Sequence, residues 1–202
     1  MPILLVTRNA SAVVSVAEAA AHARITDPGE YGLLAGLIET ATDMVEDYTG
    51  LALTVNTYRW VGYSWPDFSA EAFPWHGRRP EQPRRLDLSR TPLVSIESVE
   101  YFDTADTEQT VAASNYVADI YGTPGAISFK ADYSFPALTT SPRADAVSIN
   151  FTAGYTPAAI PARAKQAVMI LVKHLYDNPD AAGAAVEVMP FSYKALLQSL
   201  RV

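Results

Sequence analysis

The chain contains no cysteine, which removes disulfides, thiolate catalysis and cysteine-based zinc or iron–sulfur sites together. Histidine is nearly as scarce. His22, His76 and His174 are far apart in sequence and have no paired metal spacing such as HExxH, so neither metal binding nor imidazole catalysis is expected. The 10 glycines are scattered, and none builds a phosphate-cradling loop or a dinucleotide fingerprint. Serine and threonine are common, but without a GxSxG elbow or an SxxK in a suitable context a serine hydrolase has no support. No catalytic residue, metal or cofactor is therefore expected.

Long apolar runs are absent too. Stretches such as Ala167 to Val172 fall far below the roughly 20 residues that cross a bilayer. Met1 to Thr7 is apolar but lacks a basic flank, and Arg8 cuts it short of a signal-peptide core, so a cytosolic product is expected. Basic charge is in deficit: 15 Lys and Arg against 22 Asp and Glu give a net charge of −7. Such a surface opposes tight binding of a phosphate backbone, and any contact with nucleic acid should be weak or local. What remains is a chain of 202 residues, 49% apolar and 18% charged, with material for one good core.

The helix signals are local and strong. Ser15-Val16-Ala17-Glu18 reads as a capping box opening a short helix that ends near Arg24. Asp27-Pro28-Gly29-Glu30 opens a longer one, with Asp as cap and Pro at the first helical position. It runs to Thr49, where Gly50 supplies a left-handed stop. Tyr31, Leu34, Ile38, Ala41, Val45 and Tyr48 form its apolar stripe, widened by Leu33, Leu37 and Met44. Glu39, Asp43, Glu46 and Asp47 read as the solvated face opposite.

From Leu53 to Thr152 the period changes to two. Thr54 to Val61, Val94 to Phe102, Tyr116 to Tyr121, Ala126 to Phe129 and Val147 to Phe151 are rich in β-branched and aromatic residues. They predict an antiparallel sheet of about four to six strands. Asp132 to Asp145 reads as an irregular surface stretch. After Pro161 the helical period returns in Ala164, Val168, Leu171 and Leu175, with Ala167, Ile170, Val172 and Tyr176 beside them, which makes this the core helix. Asn178-Pro179 ends it, an Ala/Gly-rich linker follows, and Ser192 opens a last short helix. The reading is an α+β fold in one domain, 1–202. Two long helices and short terminal ones form a helical layer, and residues 53–152 form an antiparallel β insertion between them.

Two segments carry unspent chemistry. Between the first two predicted strands, Arg78, Arg79, Arg84, Arg85 and Arg90 fall within thirteen residues, interleaved with Pro80 and Pro83. Such a cluster suits a solvated loop, a contact with a neighbouring subunit, or phosphates. The aromatics of the same loop, Tyr63, Trp65, Phe68, Phe73 and Trp75, either pack on a neighbour or fold back on the sheet. The second segment is the C-terminal one. Phe191, Tyr193, Leu196, Leu197 and Leu200 give it more apolar surface than a short terminal helix hides alone.

The order of several phrases is more specific than any one of them. They are Leu37-Ile38-Glu39-Thr40-Ala41-Thr42 with Val45-Glu46-Asp47-Tyr48-Thr49-Gly50, then Leu88-Ser89-Arg90-Thr91-Pro92-Leu93-Val94-Ser95-Ile96 leading into Val99-Glu100-Tyr101-Phe102-Asp103. Asn115-Tyr116 with Asp119 follows, then Phe151-Thr152-Ala153-Gly154-Tyr155, Ile160-Pro161, and Lys165-Gln166-Ala167 through His174-Leu175-Tyr176-Asp177-Asn178. In this order the chain resembles, over roughly residues 13 to 201, the tailed-phage head-to-tail connector (adaptor, head-completion) family, also found in phage-like gene transfer agents.

The resemblance implies a structural subunit, made in the bacterial cytoplasm and sited in the neck of a virion or phage-like particle. It would form a ring of about twelve copies by family likeness, with heterologous interfaces that close. Its partners would be the portal protein, a tail-side neck protein and DNA, which passes through the channel without sequence-specific binding; no membrane is involved. Phe191, Tyr193, Leu196, Leu197 and Leu200 would dock on the portal or an adjacent subunit, the alternative being that this segment packs back on its own domain, and Arg78, Arg79, Arg84 and Arg85 would form an inter-subunit loop. The alternative is a stand-alone binding module that uses the aromatic and Arg-rich loop to grip a glycan or an acidic peptide.

Overall fold

A computed structural model describes residues 3–9, 11–66, 84–179 and 191–201. The chain divides into two compact units. Residues 9–55 and 154–202 form a helical unit, and residues 1–8 and 56–153 form a β unit.

In the helical unit, α1 spans Val16–Ala23 and opens with the predicted capping box. The Glu18 amide donates to Ser15 Oγ at 3.2 Å, and the Ser15 amide donates to the Glu18 carboxylate at 2.8 Å. Hydrogen bonds from the Ser15 hydroxyl and amide hold the Glu18 carboxyl below its ordinary range. Asp27 caps as expected, accepting from the Gly29 amide at 2.8 Å, but the first turn, Pro28–Glu30, is a 3-10 turn. From it α2 runs Tyr31–Thr49 and stops at Gly50, whose φ of 77° only glycine adopts at low cost. α3 spans Ala162–Asp177 and α4 spans Phe191–Gln198. Leu34, Ile38, Ala41 and Val45 of α2 pack with Ala164, Ala167, Val168, Leu171 and Val172 of α3 in one buried cluster, to which α1 adds Ala19 and Ala20. The stripe begins one turn later than the periodicity suggests, because Tyr31 is exposed. Glu46 also departs from the expected solvated face. It is buried, because its carboxylate accepts the Leu53 amide at 2.6 Å and so stabilises the turn after α2. At Gly154, with φ of 132°, a Cβ would fall 1.9 Å from the Thr54 carbonyl oxygen, so two backbones meet there as only glycine permits.

The β unit holds two antiparallel sheets where one was expected. Strands β1 (Ile3–Thr7), β2 (Asn56–Gly62), β3 (Arg85–Leu88), β4 (Leu93–Phe102), β5 (Glu108–Thr110), β6 (Tyr116–Asp119), β7 (Gly125–Phe129) and β8 (Val147–Ala153) follow in chain order. One sheet has five strands in the order β1-β2-β8-β4-β5, the other three in the order β3-β7-β6. In the larger sheet, Tyr58 lies opposite Phe151, and Ile149 lies opposite both Trp60 and Val99. All five side chains are buried. Alternation sends the intervening residues to the other face. There Arg59 donates to Glu100 at 2.9 Å and to Ser148 at 3.1 Å, while Asn150 donates to Ser98 at 2.9 Å and to Glu100 at 3.1 Å.

Candidate functional site

The Arg-rich segment divides at the edge of the description. Arg78 and Arg79 lie outside the described residues. Arg84 and Arg85 lead into β3, and their groups are spent within the β unit. Arg84 donates to the Tyr133 carbonyl, with its guanidinium 5.0 Å from the Phe135 ring centroid. Arg85 donates to Asp87 at 2.7 Å, to Asp119, and to the Pro124 carbonyl at 3.2 Å. Asp119 in turn accepts the amides of Tyr121 at 3.2 Å and Gly122 at 3.0 Å, so the pair fastens the turn between β6 and β7. The Arg85 side chain, then the Gly122 amide, hold the Asp119 carboxyl below its ordinary value. Burial alone would lower the Arg85 pKa, but hydrogen bonds to Asp119 and Asp87 outweigh it and leave the guanidinium more basic than usual.

The loop aromatics behave similarly where they are described. Trp65 folds back on its own unit. Its ring lies 4.9 Å from Phe135, 5.5 Å from Tyr101 and 6.3 Å from Phe129, and its indole N–H donates to the Pro136 carbonyl at 2.8 Å. This cluster, with Tyr133 and Tyr116 around Phe129, joins β4, β7 and the segment at 132–136. Tyr63 stays exposed. Phe68, Phe73 and Trp75 lie outside the described residues.

At the C-terminus, Tyr193 and Leu197 of α4 fill the helical unit's own core, at 1% and 0% exposure. The Tyr193 ring centroid is 6.2 Å from that of Tyr48. Burial, helped by the nearby Tyr48, pushes the Tyr193 phenol up to about 12. Arg163 on α3 donates to Ser199 at 2.8 Å just beyond α4. Leu196 and Leu200 are half-buried and retain surface for a neighbour. The Phe191 side chain lies outside the described residues.

Of the histidines, His22 is exposed on α1, and His174 sits on α3 with a buried Nε2 that finds no partner. His76 lies outside the described residues. Among the described residues, no three His, Cys, Asp or Glu side chains are placed to hold a metal ion, and no helix is long and apolar enough to cross a membrane.

No protein-family profile and no curated protein matches this chain. Its fold, however, has been seen before. A protein in the neck of an empty GTA particle of C6 symmetry superposes with a TM-score of 0.76 at 23% identity, covering 100% of this chain and 96% of that one. A protein in the virion of a native gene transfer agent (GTA) particle gives 0.72 at 23% identity, with coverage of 100% and 96%. A third, in the neck of a native GTA particle of C12 symmetry, gives 0.61 at 23% identity over 98% and 96%. The likeness extends through both units.

Sequence reasoning missed two exposed apolar edges. β1 presents Leu4, Leu5 and Val6 to solvent, and β6 with the turn after it presents Val117, Ile120 and Tyr121. The aliphatic run Ile3-Leu4-Leu5-Val6 was signal enough for a strand. Among the described residues it pairs on one side only, an edge position that no local pattern encodes.

Proposed function

We propose that this chain is a structural, non-catalytic subunit in the neck of a phage-like particle, an adaptor that rings the underside of the portal, extends the DNA channel and supports tail attachment. The observation that carries the reading is the extent of the likeness to a neck protein: 100% of this chain and 96% of the other, at a TM-score of 0.76. The ordered phrases of the sequence that resemble the connector family support it as well. The C6 and C12 symmetries of the matched necks agree with a closed ring of copies, about twelve by family likeness. A net charge of −7 suits a wall past which DNA slides, since it offers few cations to hold phosphates.

The portal protein, neighbouring copies and a tail-side neck protein are the partners, and Phe191 and Leu196 of α4, with Leu200 just beyond it, are the residues that meet the portal or the next copy. In this reading Arg78 and Arg79 are the loop members assigned to a neighbouring copy, because Arg84 and Arg85 are engaged at home. Producing cells that lack the chain should yield DNA-filled heads without tails, restored by supplying it. Tailed, infectious or transfer-competent particles from those cells would contradict the proposal.

A further inference from the structure

Among the described residues, ten large apolar or aromatic side chains are exposed, and six of them lie on β1 and on β6 with its turn. That concentration marks two places. Among the described residues, β1 ends the order of the five-stranded sheet and pairs only with β2, while β6 ends the three-stranded sheet and pairs only with β7. The other two edges are blunted: β5 is a three-residue Glu-Gln-Thr strand, and β3 carries the Arg85–Asp87 ion pair. β1 has no charged residue at all, and the one charge on β6, Asp119, is occupied by Arg85 and two turn amides. A bulge at Val6 re-aims that side chain without covering it, and it stays 56% exposed.

We propose that copies of this chain join by strand addition, the β1 edge of one copy seating against the β6 edge of the next. The proposal rests on the ring reading above and gives it an interface. If β1 met β1, a two-fold dimer would close after two copies and leave β6 bare. A ring requires two different patches that meet each other. β6 approaches β4, which stands three places from β1 in the sheet order, so the two edges sit at different ends of the β unit. One repeated contact then satisfies both rows of free backbone groups and both apolar clusters, with main-chain hydrogen bonds for affinity and Leu4, Leu5 and Val6 against Val117, Ile120 and Tyr121 for fit.

The absence of cysteine makes the test direct. Val6→Cys and Val117→Cys sit at positions 56% and 60% exposed, so each variant should unfold at the wild-type temperature, which is checked first. Particles built with the double variant are treated with a short bismaleimide and run on a denaturing gel. A ladder of dimers, trimers and higher rungs is expected. Co-expressed single variants should give dimers, and either single variant alone none. Dimers from Val6→Cys alone, or no cross-link in particles that contain the chain, would overturn the proposal while leaving the neck reading standing. Particles with tails and without the chain would overturn the neck reading, and the interface with it.

Discussion

Leu171 is 1% exposed in the buried cluster that α2 and α3 share. Leu171→Ala should therefore cost about 2 to 5 kcal/mol through lost burial and the cavity left behind. Thermal or urea unfolding of the isolated subunit measures this, and an unchanged midpoint would mean that the stripe meets a partner. Tyr193 supplies a pH signature. Its phenol is raised to about 12 in the folded chain, against about 10 when unfolded. Its contribution is present in full below pH ~10 and is lost as pH rises toward ~12, because only the unfolded chain releases the proton over that window. Tyr193→Phe should flatten that alkaline decline in unfolding experiments run from neutral to high pH. An identical pH profile for variant and parent would show that the phenol is solvated. Glu46 makes a related point without titration: a carboxylate that reads as surface by spacing is buried because the chain returns the Leu53 amide to it.

At the scale of elements, removing residues 190 to 202 should destabilise the helical unit by more than a single buried leucine's about 2 to 5 kcal/mol, since both Tyr193 and Leu197 leave the core. Calorimetry of the truncated chain tests this, and a wild-type melting temperature would assign α4 to a partner. The signals that made α1, α2 and α3 legible are local ones: a capping box at Ser15 and Glu18, an Asp27 cap, a Gly50 stop and a 3.6-residue stripe. The strands were legible where alternation is long, as in β2, β4 and β8, to within a few residues at their ends. β5 was not, because three polar residues carry no period and owe their strand state to pairing with β4. Nor was the division into two sheets, which depends on which distant strands pair. The candidate site shows the same limit. Composition identified Trp65, Arg84 and Arg85 as unusual, yet their inward use depends on Phe135, Tyr133 and Asp119, 34 to 71 residues further along the chain.

The whole molecule is a helical unit and a β unit, each with its own core, and each with surface left over: Leu196 on α4 and Leu200 just beyond it, and the β1 and β6 edges. A monomer rarely leaves apolar edges bare, and the proposed burial of both against identical copies would account for them. In the proposed neck this burial takes place in a ring below the portal. An electron-microscopy map of the neck of the source particle, at a resolution that traces side chains, tests it most directly. The expected map shows a closed ring of this chain between portal and tail, with the β1 strand of each copy paired to β6 of its neighbour. A neck whose ring is built from a different protein would contradict it.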